Sequence, residues 1–336
     1  MPVIVAATLA FFALCPASRL IESRGVAPAP PGLGALAATL RLQPGARALQ
    51  PDERLGLHPL MVPLSASAEG EISGVLLVPG ATRNELARFA PVVTAGQGLR
   101  VLGETVTQAA RRLLAEGDVS GAEGVEAAIE AAAADGVLYR RGEATVPAGK
   151  AGAQAGLAAY LLPKVGPFLD LYERLAQQHL ERGDGESALI TCERAQNAFA
   201  ELGLPFAVHA GIHRMLGRED EARDISRVAL TKPLWSLGAY GKPEQLAALA
   251  AMAGYEPPRP SREWYSAVLA LDVGGDVRSR ATELGLPSQG LKESDFILAL
   301  PFLAPDTYSW DAVREELAAT LEAEGRPEVA RWITSS

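Results

Sequence analysis

The chain has 336 residues, of which 48% are hydrophobic, 21% charged and 6% aromatic. This composition is typical of a globular protein, and frequent alanine and leucine with few aromatics favour helix packing over a β-sandwich. The net charge is −9, and residues 1–50 carry four arginines and one glutamate, so the remainder carries about −12. An acidic body repels phosphate groups, which argues against nucleic-acid binding.

The first 17 residues are predicted to be a signal-like apolar segment. The run "VIVAATLAFFALC" at residues 3 to 15 has signal-peptide length and is short for a transmembrane helix. Small residues at Cys15 and Ala17 predict cleavage before Ser18, and no integral membrane span is expected in the mature chain. If Cys15 leaves with this segment, Cys192 has no partner for an intramolecular disulfide. A buried apolar strand is the alternative interpretation.

Residues 18 to 55 are predicted to be a transit-like, disordered leader. Up to residue 50 they are basic, poor in acids and rich in alanine and proline, which is typical of organelle transit peptides. An apolar signal followed by such a segment resembles the two-part leaders of proteins sent to secondary plastids. "GVAPAP" at 25 to 30 is similar to the Phe-Val-Ala-Pro motif of such leaders, with Gly25 in place of the phenylalanine. The resemblance implies plastid delivery, and a secreted or exported protein is the alternative.

Residues 56 to 104 are predicted to form a small α/β or extended segment. "SGVLLVPG" and "GLRVLGE" are strand candidates, with a helix from Thr82 through Phe89 between them. No phosphate-binding glycine motif follows the first strand, so a nucleotide site is not expected there.

From residue 105 to 336 the pattern is mainly helical, and part of it repeats. Six positions match at an offset of 34 residues, and all are small, aromatic or histidine residues suited to packing. The matched pairs are Tyr172 and Phe206, Ala176 and Ala210, His179 and His213, Gly183 and Gly217, Ala188 and Ala222, and Ala195 and Ala229. Weaker copies at 109–124 and 316–331 have small residues at similar spacings, but their offsets from this pair are not multiples of 34.

These spacings resemble the tetratricopeptide repeat family, over units at 169–202 and 203–236. That resemblance implies stacked antiparallel helix hairpins with a glycine turn in each unit. A generic helical bundle is the alternative.

The resemblance also implies which residues face a ligand. They are Asp170, Glu173, Gln177, Leu180 and Glu181 in the first unit, and Leu204, Ala207, Gly211, Arg214 and Met215 in the second. The polar members, Asp170, Glu173, Gln177, Glu181 and Arg214, are the predicted partner-binding residues. This surface suits a basic or amphipathic partner segment, and a solvated helix face is the alternative.

No pattern predicts catalysis, a cofactor or a metal. His209 and His213 share a helix face, but Ala210 and Gly211 lie where a zincin motif needs its glutamate, so packed structural histidines are expected. Cys192 is expected to be a buried, inert thiol. Asp272 and Asp276 lack the spacing of a calcium loop.

The sequence therefore predicts a non-catalytic scaffold or assembly factor that binds a protein partner in a plastid. An enzyme with a site between the 71–104 unit and the helices, or a structural subunit of a larger complex, are the alternatives.

Overall fold

The structure of the chain is a computed structural model that describes residues 15–79, 87–144, 152–269 and 293–334. In this described part the fold is mainly helical, with a small antiparallel sheet near the amino terminus, which confirms the mainly helical part of the predicted fold class. Among the described helices, none has both the length and the apolarity of a membrane span. The predicted signal-like run up to residue 14 and the two loop aspartates, Asp272 and Asp276, lie outside the described residues.

Five strands form an antiparallel meander in the order β1-β2-β3-β4-β5. They are β1 (Arg47–Ala48), β2 (Met61–Ala66), β3 (Ile72–Val78), β4 (Arg88–Ala95) and β5 (Gly98–Val101). Both strand candidates of the sequence are present, as β3 and β5.

The prediction that a helix extends to Phe89 is wrong, because Arg88 and Phe89 begin β4. The β-branched run Val92, Val93 and Thr94 favours a strand, and β4 pairs antiparallel with β3. Residues 80–86, which would hold the rest of that helix, lie outside the described residues. The segment from 56 to 104 is therefore an antiparallel meander in its described part.

The helices follow the chain before and after this sheet. They are α1 (Pro16–Arg24), α2 (Leu33–Thr39), α3 (Val106–Ser120), α4 (Val125–Ala134), α5 (Gly152–Lys164), α6 (Leu169–Glu181), α7 (Gly185–Ala198), α8 (Leu204–Met215), α9 (Glu219–Leu230), α10 (Pro243–Met252), α11 (Arg262–Leu269), α12 (Glu293–Leu303), α13 (Arg314–Ala323) and α14 (Pro327–Thr334). Two 3-10 segments are Leu40–Leu42 and Leu234–Gly241.

Residues 18 to 55 are not disordered as predicted, because most of α1 and all of α2 and β1 lie in this range, while their transit-like role stays a prediction. Ile21, Leu33, Leu36 and Leu40 are fully buried in the main core. Leu33, Leu36 and Leu40 are three and four residues apart, so they share one face of α2 and the 3-10 turn after it, a period that the alanine- and proline-rich composition obscured. The cleavage site expected before Ser18 falls inside α1, where Ser18 is buried.

The free edge of β5 is covered by the 3-10 segment Leu234–Gly241. A Cβ atom on Gly98 would lie 3.1 Å from the carbonyl oxygens of both Trp235 and Gly238, so the close approach favours glycine. An enzyme site was an alternative prediction for the junction between the 71–104 unit and the helices. At β5 the backbone of the 3-10 segment occupies this junction.

The carboxyl-terminal helix closes onto the amino-terminal part through Trp332, whose side chain is fully buried beside Phe89. Its carbonyl oxygen accepts hydrogen bonds from Arg24 Nη1 (2.8 Å) and Arg54 Nη1 (3.1 Å). This carbonyl belongs to the last turn of α14, where the helix has no donor of its own and carries partial negative charge. Two cations from residues about 300 positions earlier therefore cap the helix.

Arg54 is buried, with 6% of its surface exposed, and backbone carbonyls surround its guanidinium. Its Nε donates to Met61 (3.2 Å), and another nitrogen donates to Pro59. Burial, followed by the charges of Arg24 and Arg314, lowers the pKa of Arg54 to about 9. Arg54 stays protonated at neutral pH, and these carbonyls offset part of its desolvation cost.

An aromatic cluster packs around His58, which is fully buried, and adds to the contacts between the two ends of the described chain. The His58 ring lies 4.5 Å from the ring of Trp310 and 6.1 Å from that of Trp235, measured between centroids. The Leu60 amide donates to His58 Nδ1 (3.2 Å). Burial and the charges of two arginines, Arg314 foremost, lower the pKa of His58 to about 3, so this ring is neutral. The cluster joins the 3-10 segment to the carboxyl-terminal region.

Replacing Trp332 tests this closure. Trp332→Ala removes a fully buried ring and its two cation contacts, so we expect the free energy of unfolding to fall by about 3–5 kcal/mol in urea titrations. Thr334→Ala changes an exposed residue of the same helix and should stay within about 0.5 kcal/mol of wild type. Similar, small effects of both variants would show that α14 does not contribute to the core.

Candidate functional site

Helices α6 to α9 form two consecutive hairpins, at the place where the sequence predicts two repeated units. Each hairpin turns at a glycine in the left-handed region, Gly183 with φ 78° and Gly217 with φ 73°. A side chain is strained at such an angle, so the recurrence of glycine 34 residues apart has a direct geometric reason.

The hydrogen bonds at the two turns also recur. The Asp184 amide donates to the His179 carbonyl (2.9 Å), and the Arg218 amide donates to the His213 carbonyl (2.9 Å). This six-to-one bond closes a Schellman turn in both hairpins.

Small side chains lie where the hairpins pack. The alanines that recur in the sequence are all buried: Ala176, Ala188, Ala195, Ala210, Ala222 and Ala229. A larger side chain at these positions would separate the helices. The pairing of hairpins is thus observed, while membership of the tetratricopeptide family stays a prediction.

Asp170, the first predicted partner-binding residue, is engaged within the chain. Its two carboxylate oxygens accept from Arg112 Nη1 (2.6 Å) and Nη2 (2.7 Å), a bidentate pair that ties α6 to α3. Burial would raise the pKa of Asp170, but the Arg112 guanidinium outweighs it and lowers that pKa. Glu116 accepts from Arg112 Nε (2.7 Å), so one cation holds two acids.

The other four predicted partner-binding residues are exposed. Glu173, Gln177 and Glu181 lie one turn apart on α6, and Arg214 lies near the end of α8. Their exposure fits a binding surface, and binding itself stays a prediction.

For two apolar residues of α8, the prediction that they face a ligand is wrong. Leu204 and Ala207 are buried in the main core. The 3-10 segment covers this end of α8, since the side chain of Leu204 comes within 3.4 Å of the Cβ position of Gly238. A regular repeat array has no such segment, so the register alone could not predict the burial.

A shallow cleft with room for about one water molecule lies between the two hairpins, and we call it the α6–α8 cleft. Its walls are mostly apolar, and its lining residues are Leu169, Tyr172, Glu173, Cys192, Ala195, Pro205 and Val208. Sequence reasoning identified Glu173 as a surface residue but did not identify the cleft, which arises where α8 leans on α6 and α7.

Two polar groups belong to this cleft or lie near it. Although Glu173 is exposed as a residue, the surrounding protein desolvates its carboxylate, and this desolvation together with the charge of Asp170 raises its pKa against the opposing effect of Arg100. Burial and then the charge of Glu173 raise the pKa of Tyr240, whose hydroxyl lies 3.7 Å from the Cβ position of Gly211. Tyr240 comes from the 3-10 segment, and no repeat pattern pointed to it.

Cys192 lies in the wall of the cleft and is buried. Burial, with smaller contributions from Glu173 and Glu193, raises the pKa of its thiol to about 12. The thiol is therefore protonated at neutral pH, as an inert packing residue should be.

His209 and His213 are buried on α8, with ring centroids 4.5 Å apart. Within the described residues, both ring nitrogens of His209 and Nδ1 of His213 have no hydrogen-bond partner. The same part of the chain contains no group of three metal-ligating side chains. Burial, then the charge of His213, lowers the pKa of His209 to about 4. Both histidines are thus packed in the helix pair rather than held by hydrogen bonds.

The ion pair of Asp170 predicts a structural role for this residue. Asp170→Asn removes the charge that faces Arg112, while Glu116 still pairs with it, so we expect a loss of about 1–3 kcal/mol in the free energy of unfolding. Glu181→Gln on the same helix serves as a control and should change stability by less than about 0.5 kcal/mol. Equal stabilities in a urea titration would rule out this role.

His209 predicts a pH dependence of stability. Its pKa of about 4 in the folded chain is below the ordinary value, so protons bind the unfolded chain more strongly and stability falls as the pH drops from about 6.5 to 4. His209→Leu should reduce this fall by up to about 3 kcal/mol, at about 1.4 kcal/mol per pKa unit. Urea titrations across this pH range measure the difference. His209→Asn, polar but not titrating, should be less stable than His209→Leu at pH 7, and the reverse order would contradict the packing role.

The comparisons with known proteins match most of the chain. Residues 17–164 match the model of the PAB N-terminal domain, and residues 169–256 match that of the PAB middle domain. The curated Arabidopsis thaliana protein named "Protein IN CHLOROPLAST ATPASE BIOGENESIS, chloroplastic" is 34% identical over 200 residues, which are 58% of this chain and 57% of that relative. The chain thus spans little more than half of the relative. No solved structure matches it significantly. The amino-terminal match begins at residue 17, so most of α1 and all of α2 fall within the region that matches the PAB N-terminal model.

Proposed function

We propose that the protein is a non-catalytic assembly factor of a plastid, and that it binds a subunit of the chloroplast ATPase before the complex is complete. The observation that carries this proposal is the 34% identity to a curated protein whose name places it in chloroplast ATPase biogenesis. The same name agrees with the plastid destination predicted from the amino-terminal segment.

The structure supports partner binding by this chain. The α6 face offers exposed Glu173, Gln177 and Glu181, and the α6–α8 cleft lies beside them. The stretch from 169 to 230 carries eleven acidic residues and seven arginines, a net charge of −4 with histidines neutral. An acidic surface of this kind attracts a basic segment and disfavours an acidic one. The fold and charge thus suit a protein partner with a basic surface.

Binding to isolated subunits tests the proposal. The full chain, tagged and purified, is mixed with individually produced chloroplast ATPase subunits and, separately, with the assembled complex. We expect a defined stoichiometric complex with at least one unassembled subunit and about tenfold weaker binding to the assembled ATPase, measured by calorimetry.

The two other outcomes are informative in different ways. Equal binding to subunit and assembled complex would favour a structural subunit over an assembly factor. Binding to neither would overturn the proposed function. Raising the salt concentration should weaken the complex if its acidic surface attracts the partner.

A further inference from the structure

A short proline-rich segment crosses the surface between α10 and α11. Residues 256 to 261 read "EPPRPS", and α11 begins at the next residue, Arg262. The segment forms neither helix nor strand. The match to the PAB middle domain ends at residue 256, so the rest of the segment lies beyond that match.

The sequence of this segment restricts its backbone strongly. Every residue from 256 to 260 is a proline, precedes a proline, or both. The proline ring fixes φ at about −65°, and it moves the preceding residue away from the helical region towards extended angles. These are the angles of polyproline II, a left-handed helix with three residues per turn. The residues thus favour polyproline II without help from neighbouring elements.

The burial of the segment has the same period of three. The order exposed, exposed, half-buried occurs twice in succession, over Glu256, Pro257, Pro258, Arg259, Pro260 and Ser261. Within the described residues, no backbone-to-backbone hydrogen bond involves positions 256 to 260, as expected for polyproline II.

An ion pair also follows this period. The carboxylate of Glu256 lies 3.1 Å from the guanidinium of Arg259, three positions further on. Residues three apart share one edge of a polyproline II helix, so this edge carries the ion pair. A second edge carries Pro257 and Pro260, both exposed, and the third edge faces the body of the protein.

Hydrogen bonds hold both ends of the segment. The Tyr255 amide donates to the Ala250 carbonyl in the last turn of α10 (2.9 Å). Trp264 of α11 is buried, and its Nε1 donates to the Glu256 carbonyl (3.0 Å), while its amide donates to Ser261 Oγ (3.1 Å). A recognition segment that is already held in its bound shape loses little conformational entropy on binding.

Two exposed prolines on one edge present a specific chemistry. The rings of Pro257 and Pro260 are about 9 Å apart along the helix axis, at about 3.1 Å per residue. Grooves lined by aromatic side chains bind prolines that are spaced in this way. Arg259 lies on the neighbouring edge, where its exposed ion pair contributes little to stability. A carboxylate beside such a groove could therefore replace Glu256 at little cost.

We propose that residues 256 to 261 are a polyproline II recognition segment. A partner protein binds Pro257 and Pro260 in a groove lined by aromatic side chains, and an acidic residue beside that groove pairs with Arg259. This contact goes beyond the proposed function, since it involves a different surface from α6 and does not require the partner to be an ATPase subunit.

Purified SH3 and WW domains are suitable probes, because their aromatic grooves bind proline-rich segments of this class. Each labelled domain is titrated with the full chain, and fluorescence anisotropy measures the affinity. Each domain has a matched variant in which one aromatic residue of the groove is replaced by alanine. We expect at least one domain to bind, and its groove variant to bind about tenfold more weakly.

Replacing both exposed prolines should weaken this binding. The double variant Pro257→Ala/Pro260→Ala should bind the best domain about tenfold more weakly, because it loses both rings and relaxes the extended backbone. Pro243→Ala changes an exposed proline at the start of α10 and should stay within about twofold of wild type. Circular dichroism and melting curves, recorded before binding is compared, should match wild type, since all three prolines are exposed.

The charge next to the prolines has its own control. Arg259→Gln should weaken binding about fivefold at low salt, because it removes the cation that faces the acidic residue of the partner. Arg223→Gln should leave the affinity unchanged. Arg223 is a matched residue, since it is also exposed and forms an ion pair with an acid three positions away, Asp220.

Three results would overturn the proposal. If no domain of the panel binds, the segment is a rigid spacer between α10 and α11. If the double proline variant binds as tightly as wild type, the domains contact another part of the chain. If intact domains and their groove variants bind equally well, the contact does not involve an aromatic groove.

Discussion

The closure of the fold depends on the buried Arg54, whose guanidinium donates to backbone carbonyls, and on helix-end carbonyls that accept from arginines. Arg24 and Arg54 both donate to the carbonyl of Trp332, in the last turn of α14, and Arg227 donates to Ala253 at the end of α10 (2.9 Å). A carbonyl at a helix end has no internal donor and carries partial negative charge, so a cation there satisfies it without burying a second charge. The Trp332 contacts join residues nearly the whole chain apart, so the two ends of the described chain stabilise each other.

This closure also positions the candidate site. His58, held between the rings of Trp235 and Trp310, links the amino-terminal loop and the carboxyl-terminal region to the 3-10 segment Leu234–Gly241. The far end of that segment supplies Tyr240, whose hydroxyl lies over α8 at Gly211. The α6–α8 cleft is thus formed by two local hairpins, but its polar surroundings depend on contacts between distant parts of the chain.

The difference between local and distant contacts explains what the sequence could predict. The hairpins of α6 to α9 follow from a short-range rule, because a glycine turn with small residues at fixed spacing specifies its own packing. The burial of α1 does not, since contacts such as that of Arg24 with the Trp332 carbonyl come from distant parts of the chain. Ile21 looks like any apolar residue of an alanine-rich stretch until its core neighbours are known, and composition alone therefore indicated a leader.

The distinction between local and distant contacts also explains which residues of the site the sequence could predict. The repeat register correctly put Glu173, Gln177 and Glu181 on an exposed face, because helix periodicity fixes it. It could not foresee that Asp170, on the same helix, pairs with Arg112, because α3 lies outside the repeated units. That pair removes one acid from the surface and leaves Glu173 as the acid that lines the cleft. A regular stack of repeats would present a row of equivalent acids, whereas the packing of α3 against α6 makes one of them different from its neighbours.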